Sequence, residues 1–282
     1  MAEITPAAVA KLREMTAAGL MECKKALVEA GGELDRAVDI LRKKGVASAA
    51  KKASREAKEG LIAHHILPGS RAGVLVEVNC ETDFVARNEN FRSFCEEITR
   101  KLANDPKIDL EAERVAQVAK IGENIVISRS QRLEVGGNGM IAGYIHTGGK
   151  LGVLVEVGAS KEATVASDEF KQLVRDITLQ IAAAHPYVVT RDQVEPSVIA
   201  KEREIAAEQV KNKPPQAVAK IVEGKLEKFY QAYCLMDQAF VKRDENNAEV
   251  SVKDHIARVG KKLGDELTIR RFVRFQVGEA QS

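Results

Sequence analysis

The 282-residue chain contains one segment twice, and the second copy begins 79 residues after the first. The hexapeptide Gly73 to Val78 (GVLVEV) returns as Gly152 to Val157, and the tripeptide Leu61 to Ala63 returns as Met140 to Ala142. Self-similarity at a fixed spacing is the signature of a repeated supersecondary unit. The sequence therefore predicts a scaffold that is built twice.

Each copy predicts a β-hairpin followed by a helix. Strands at 61–67 and 73–78 flank a Pro-Gly turn, and strands at 140–145 and 152–157 flank a Gly-Gly turn. Each following helix carries apolar side chains at 3.6-residue periodicity, which suits packing across a sheet. These side chains are Phe91, Phe94, Ile98 and Leu102 in the first copy and Phe170, Leu173, Ile177 and Ile181 in the second.

A weaker similarity, 142 residues apart, adds a third strand to each copy. Ile121 to Arg129 resembles Leu263 to Arg271, and in both segments a glycine ends a helix before an apolar run. Two three-stranded antiparallel sheets are expected. The longer spacing implies an insertion in the second copy, which we place at 186–230, where Pro196 and Pro214-Pro215 begin two charged helices joined by a short loop. An exposed helical hairpin is one interpretation, and helices lying on the domain surface are the other.

The remaining segments complete an α+β organisation. Residues 1–45 predict a three-helix bundle, with glycines ending each helix and the third helix stopping before Gly45. Residues 46–60, rich in Ala, Lys and Ser, predict a mobile or helical linker. The first repeat forms a core subdomain at 61–137, and the second forms another from 138–185 and 231–282.

Composition excludes several classes of function. The 43 basic and 41 acidic residues nearly balance, so no uniform positive field favours nucleic acid. The four cysteines and five histidines show no zinc-ligand spacing, and we expect no metal and no cofactor. Phosphate-binding, nucleophile-elbow and metalloprotease motifs are absent from the sequence, which predicts that the chain is not an enzyme. No apolar run is long enough for a membrane span, and a cytoplasmic location is expected.

The two copies differ most in the loop between the second strand and the helix. Asn79 to Val85 reads NCETDFV, whereas Gly158 to Thr164 reads GASKEAT. One interpretation makes Thr82 or Asp83 a helix cap and Phe84 a staple into the core. The other makes Phe84 an apolar wedge for a partner, and the second copy favours it because that unit folds without an aromatic there.

Several separated motifs together resemble the bacterial elongation factor Ts family over nearly the whole chain. They are Leu12 to Leu27 (LREMTAAGLMECKKAL), Glu77 to Ala86 (EVNCETDFVA), Val118 to Asn124 (VAKIGEN), His146 ahead of Gly152 to Val155, and Arg274 to Glu279 (RFQVGE). The resemblance implies a ubiquitin-associated-like bundle, two related α+β subdomains and an inserted antiparallel coiled coil. It also implies guanine-nucleotide exchange on elongation factor Tu by binding, in which magnesium is lost and the phosphate-binding loop of the partner rearranges.

The resemblance assigns roles to particular positions. Asp83 and Phe84, within the loop Thr82 to Val85, are expected to enter the partner near its magnesium site, supported by Ile121 and Gly122. The other contacts are expected on the G domain and on a second surface of the partner. They involve Arg13, Leu20 and Met21 of the bundle, His146, Phe240 and Val241.

Two alternatives remain open at this stage. A chaperone-like protein could hold nucleotide-free elongation factor Tu without accelerating exchange, and the exposed hairpin favours this reading. The basic pairs Lys43-Lys44 and Lys51-Lys52 suggest an RNA-associated translation factor, although short basic runs are usually solvated. The hairpin can also pair with its twin or with the partner, so a homodimer and a heterotetramer are both compatible with the sequence.

Overall fold

A computed structural model of the protein describes residues 4–16, 18–242 and 249–279. Helices and antiparallel sheets alternate along the chain, and the predicted α+β class is confirmed. The first three helices are α1 (Pro6–Thr16), α2 (Leu20–Glu29) and α3 (Leu34–Lys52). They enclose a small core of their own, which includes Leu12, Cys23 and Leu27.

The third helix is longer than the sequence predicts. It passes through Gly45 and ends at Lys52, so the expected stop before Gly45 is wrong, and residues 46–52 are helical, which is one of the two forms expected for the linker. Gly45 is buried where α3 packs on α6 (Glu111–Ile121), and a β-carbon there would lie 3.6 Å from the methyl of Ala119. A β-carbon at this distance would make an ordinary van der Waals contact, so Gly45 neither ends the helix nor is required by the packing.

The first repeat folds as a three-stranded antiparallel sheet in the order β1 (Glu59–Ile66), β2 (Ala72–Cys80), β3 (Ile125–Glu134). Helices α4 (Asp83–Arg87), α5 (Glu89–Asn104) and α6 lie between β2 and β3 in the chain. Side chains of β2 and α5 form one core, and all four apolar positions predicted on α5 are buried in it.

The second repeat has the same topology. Its sheet has the order β4 (Gly139–Ile145), β5 (Leu151–Ala159), β6 (Leu267–Gln276), and its helices are α7 (Glu162–Ala166), α8 (Asp168–Ala184) and α11 (Val252–Leu263). A register shift lies between Glu77 and Val78 of β2, and another lies between Glu156 and Val157 of β5. The duplication, including both predicted third strands, therefore extends to the bulges.

The two sheets also pack against each other. Six buried side chains from both sheets form a cluster on the faces turned away from the helices: Ile62, Leu75, Leu133, Ile141, Leu154 and Phe275. Every residue of β2 is buried. This explains why GVLVEV is a nearly continuous apolar run rather than an alternating one, since both faces of the strand are covered.

The predicted insertion contains helices α9 (Pro196–Glu208) and α10 (Pro215–Tyr233), which pack against each other. Ala206 and Leu226 are the fully buried side chains on these two helices. Helix α10 runs beyond the expected limit at residue 230, and its last residue, Tyr233, stacks on Tyr187 with ring centroids 4.5 Å apart. At the same end, Arg191 lies 2.6 Å from carboxylate oxygens of both Glu227 and Asp237.

Candidate functional site

The loop that distinguishes the two repeats leads from β2 into the short helix α4. Thr82 is the N-cap of this helix, and its hydroxyl accepts a hydrogen bond of 3.3 Å from the backbone N–H of Val85. A hydroxyl at this position satisfies an amide that has no partner within the helix. The predicted capping role of Thr82 is confirmed.

Phe84 projects from α4 into solvent. The side chain is 80% exposed, whereas Ala86, two residues later on the same helix, is 2% exposed. Two residues correspond to about 200° of rotation around a helix, so burying Ala86 turns Phe84 outward. The interpretation of Phe84 as a staple into the core is wrong. Val85 is partly buried against the first core and holds the helix there.

A carboxylate from a distant part of the chain holds the beginning of this loop. Glu123 Oε2 accepts hydrogen bonds from the backbone N–H groups of Glu81 and Thr82, each at 3.0 Å. Glu123 Oε1 accepts a bond of 2.6 Å from the Thr82 hydroxyl. In return, Glu81 Oε1 accepts a bond of 2.6 Å from the backbone N–H of Asn124. The two segments are therefore locked together in both directions.

Cys80 fastens the same loop from the end of β2. Its sulfur lies 3.2 Å from the carbonyl oxygen of Thr82. Burial, with a smaller contribution from the charge of Glu123, raises the pKa of the Cys80 thiol to about 12. The thiol is consequently protonated at neutral pH and donates to that carbonyl.

The second repeat keeps the attachment but lacks the projecting ring. Asp265, which corresponds to Glu123, accepts from the backbone N–H groups of Ser160 at 3.2 Å and Lys161 at 3.0 Å. Lys161 occupies the position of Thr82 and provides no side-chain cap to α7. Ala163 stands where the first repeat has Phe84. The shared carboxylate belongs to the scaffold, and the exposed ring is an addition to it.

Sequence reasoning missed Glu123. The signal was present in the 142-residue similarity, where an acid follows the helix-ending glycine in both copies: Gly122-Glu123 and Gly264-Asp265. Both glycines adopt the left-handed conformation, with φ of 89° and 61°. Ile121, the last residue of α6, is partly buried against the first core. Glu123, the residue after this segment, holds the loop within the chain, and support of the partner contact by Ile121 and Gly122 stays a prediction.

Asp83 is available on the surface beside Phe84. Its Oδ2 lies 2.9 Å from Nη2 of Arg87, one helical turn away. The side chains of Asp83 and Arg87 are 43% and 74% exposed, and exposed pairs at this spacing contribute only about 0.5 kcal/mol. Such a pair leaves the carboxylate free to exchange its partner.

The remaining residues from the resemblance lie on separate parts of the molecule. Arg13, Leu20 and Met21 are exposed on the bundle, with Leu20 and Met21 at 55% and 61%. His146 is exposed at the turn between β4 and β5, with its Nδ1 2.9 Å from the Tyr144 hydroxyl.

Phe240 and Val241 have different surroundings. Phe240 is 6% exposed and stacks on His255 within the second core, with ring centroids 4.1 Å apart. Val241 is 48% exposed, and its backbone N–H donates to Gln180 Oε1 at 2.7 Å. Val241 is therefore the exposed residue of the two, and the contact of this segment with a partner stays a prediction.

The described part of the chain shows neither a metal-ligand cluster nor a membrane-spanning helix. No three His, Cys, Asp or Glu side chains within 4–16, 18–242 and 249–279 are grouped as metal ligands. None of the helices in those ranges combines the length and apolar character of a membrane span.

Comparison with known proteins places the chain. A family model described as Elongation factor TS matches residues 81–279. The curated relatives include Elongation factor Ts of Symbiobacterium thermophilum, which is 44% identical over 99% of this chain and 93% of its own length. The chain belongs to the elongation factor Ts family.

Other relatives carry the same name over similar spans. Elongation factor Ts of Chloroherpeton thalassium is 43% identical, covering 99% of this chain and the whole of that protein. The protein of Nitratidesulfovibrio vulgaris is 40% identical over 98% of this chain and 96% of its own length. Membership of the elongation factor Ts family supports a role in translation elongation, and the match covers both repeats and the loop that bears Phe84.

Proposed function

We propose that the chain is a guanine-nucleotide exchange factor that binds elongation factor Tu·GDP, disturbs its Mg²⁺ and phosphate-binding loop, and promotes GDP release for reloading with GTP. The observation that carries this proposal is the exposure of Phe84 on a loop whose start is fixed by Glu123. A rigidly held apolar ring in solvent fits insertion into a partner, because burying a phenylalanine side chain gains about 2 kcal/mol.

The proposed step requires no covalent chemistry by this chain. Magnesium bridges nucleotide phosphate oxygens and protein ligands, so displacing its ligands removes a large electrostatic contribution to nucleotide affinity. In this proposal Phe84 enters an apolar crevice between helices of the partner, and Asp83 accepts hydrogen bonds from donors beside that crevice. The protein acts by binding rather than as an enzyme.

Thermodynamic linkage explains how the factor leaves. If the factor weakens GDP binding, then nucleotide weakens binding of the factor to the same extent. GTP at cellular concentration therefore expels it. The cycle changes the rate of exchange and leaves the equilibrium between nucleotides unaltered.

The exposed positions outside the loop complete the docking surface. Arg13, Leu20 and Met21 are proposed to meet the G domain, where Ile121 and Gly122 support the loop contact. His146 and Val241 are proposed to meet a second surface of elongation factor Tu. The bundle is proposed to be ubiquitin-associated-like, the α9–α10 pair to be a coiled coil, and the protein to act in the cytoplasm.

Release of a fluorescent GDP analogue from elongation factor Tu tests the function. The proposal requires that substoichiometric amounts of this chain accelerate release over many turnovers, in the presence of excess unlabelled GDP. A stable complex with an unchanged GDP off-rate would contradict exchange and favour a chaperone-like holder. Salt-dependent binding of tRNA at micromolar protein with no effect on GDP would instead favour an RNA-associated factor.

The stoichiometry of the complex is a separate question. The helices α9 and α10 bury little beyond Ala206 and Leu226, so their remaining surface can meet a second copy or the partner. Light scattering of the mixed proteins, with and without GDP, distinguishes a simple heterodimer from a heterotetramer. The same measurement on this chain alone detects a homodimer.

A further inference from the structure

We infer that Glu123 is a positioning residue for nucleotide exchange, because its carboxylate fixes the direction in which α4 presents Phe84. This inference rests on the proposed function. It assigns to Glu123 a role in the maximal rate of GDP release that is separate from docking and from general stability.

Glu123 accepts three hydrogen bonds from the loop before α4. Both carboxylate oxygens of Glu123 are used, and all three donors belong to Glu81 and Thr82, which directly precede α4. Hydrogen bonds to an ionised acceptor are stronger than those between neutral groups. Phe84 lies two residues after Thr82, so the orientation of its ring depends on this attachment.

The backbone around Glu123 is itself held by its two neighbours in the chain. Glu123 follows the left-handed cap Gly122, and the next residue, Asn124, is tied at two points. The backbone N–H of Asn124 donates to Glu81, and its side-chain Nδ2 donates to the carbonyl oxygen of Arg55 at 2.8 Å. Because Gly122 and Asn124 on either side of Glu123 are held, its carboxylate can restrict the movement of the loop.

The second repeat has a corresponding carboxylate, Asp265, but no exposed aromatic ring beside it. Asp265 accepts from the two corresponding loop N–H groups, those of Ser160 and Lys161, and also from its neighbour Glu266, but the helix that follows carries Ala163 in place of Phe84. Lys161 there sends its ammonium group to the carbonyl oxygen of Gly264 at 2.7 Å. If holding the loop mattered only for folding, losing either carboxylate would change the rate of GDP release to the same extent. We expect instead that loss of Glu123 slows GDP release and that loss of Asp265 does not.

Loss of the Glu123 carboxylate should change the maximal rate rather than the half-saturating concentration. Glutamine at position 123 replaces one acceptor oxygen with a donor group, so it cannot accept all three bonds. None of the proposed docking residues on other parts of the molecule is bound by Glu123: Arg13, Leu20, Met21, His146 and Val241. Losing an interaction that is made only during the reaction lowers the maximal rate, whereas losing one that is used for binding raises the half-saturating concentration.

The experiment measures GDP release from elongation factor Tu as a function of the concentration of this chain. For Glu123→Gln we expect the maximal rate to fall about tenfold, with the half-saturating concentration changed by less than about twofold. For Asp265→Asn both constants should stay within about twofold of the parent. Amide hydrogen exchange at Glu81 and Thr82 should accelerate in Glu123→Gln only.

A second pair of variants covers the case in which Glu123→Gln fails to fold. Thr82→Val removes the hydroxyl, and with it both the bond to Glu123 and the cap bond from the Val85 N–H, whereas Thr82→Ser keeps both bonds. We expect the first to lower the maximal rate and the second to match the parent.

The outcomes are distinguishable. If the parent accelerates release and Glu123→Gln loses no more of its maximal rate than Asp265→Asn does, the positioning role is overturned. A parental rate for Thr82→Val overturns it as well. If the parent itself produces no acceleration, the proposed function fails, and this inference fails with it.

Discussion

Glu77 Oε2 lies 2.7 Å from Arg129 Nε across the strands β2 and β3, and the second repeat places Glu156 Oε2 2.8 Å from Arg271 Nε in the same relation. Both acids are buried beside the register shift in the repeated GVLVEV strand. A buried carboxylate requires charged partners and hydrogen bonds to be tolerated. Both repeats therefore contain a buried glutamate paired with an arginine of the neighbouring strand, in addition to the same apolar packing.

The Glu156 site makes the first prediction, which concerns stability. Its carboxylate also accepts from Arg270 Nη1 and from the backbone N–H of Gly136, each at 2.9 Å. Glu156→Gln leaves these donors without an anionic acceptor and should lower the free energy of unfolding by about 2 kcal/mol, measured by urea denaturation. The control Glu223→Gln removes an exposed partner of Arg203 and should cost less than about 0.5 kcal/mol. Equal losses would contradict the role assigned to Glu156.

The same site predicts a pH dependence. Burial would raise the pKa of Glu156, but the bonds from Gly136, Arg270 and Arg271 outweigh burial and lower the pKa below its ordinary value of 4.5. A lowered pKa in the folded state stabilises the protein above the unfolded-state value and loses that contribution as pH falls through the folded-state value. The stability gap between the parent and Glu156→Gln should therefore be full near neutral pH and shrink below pH 4.5. A gap that stays constant into acid would contradict this.

The two helix-ending glycines form a matched pair for mutation. Gly122→Ala and Gly264→Ala each place a β-carbon in open space, so each should cost only about 1 kcal/mol of backbone strain, measured by urea denaturation. Gly122 adjoins Glu123 and the proposed loop contact, whereas Gly264 does not. GDP release should fall for Gly122→Ala and stay at the parental rate for Gly264→Ala. Equal effects on release would argue that Ile121 and Gly122 serve folding alone.

The bundle makes a prediction about docking. Leu20 and Met21 are exposed, so truncating both to alanine should leave the unfolding free energy unchanged. The double variant should raise the half-saturating concentration in GDP release about tenfold and preserve the maximal rate, because two apolar contacts contribute to binding. Val28→Ala on the same helix, where Val28 is 59% exposed, is the control and should match the parent. A fall in the maximal rate with no change in half-saturation would contradict the docking role.

Much of the scaffold could be predicted because the duplication supplied each element twice. Both sheets, their third strands, and the buried faces of α5 and α8 are confirmed. The end of α3 could not be predicted, because a glycine can either end a helix or lie inside one. Gly45 lies inside α3, where the helix packs on Ala119, a neighbour that is far away in the sequence.

In the candidate site, too, the features that depend on nearby residues could be predicted, and those that depend on contacts distant in the sequence could not. The Thr82 cap depends on a neighbour three residues away, and the sequence predicts it. The segment around Phe84 does not predict whether its ring is buried or exposed. The comparison with the second repeat, which has Ala163 at this position, favours exposure. The bond of Glu123 to Thr82 spans 41 residues, and the burial of Phe240 depends on stacking with His255. Neither has a local signal.

Truncation of Phe84 is the most direct test of the exchange mechanism. Because the ring is 80% exposed, Phe84→Ala should unfold at the parental urea concentration. Tyr187→Ala, which truncates an aromatic side chain that is 59% exposed outside the loop, should retain parental exchange. With saturating chain, the rate of fluorescent GDP release from elongation factor Tu should fall about thirtyfold in Phe84→Ala, as expected for losing a central interface contact of about 2 kcal/mol. If folded Phe84→Ala releases GDP as fast as the parent, the ring is not the group that dislodges the nucleotide, and the account is contradicted.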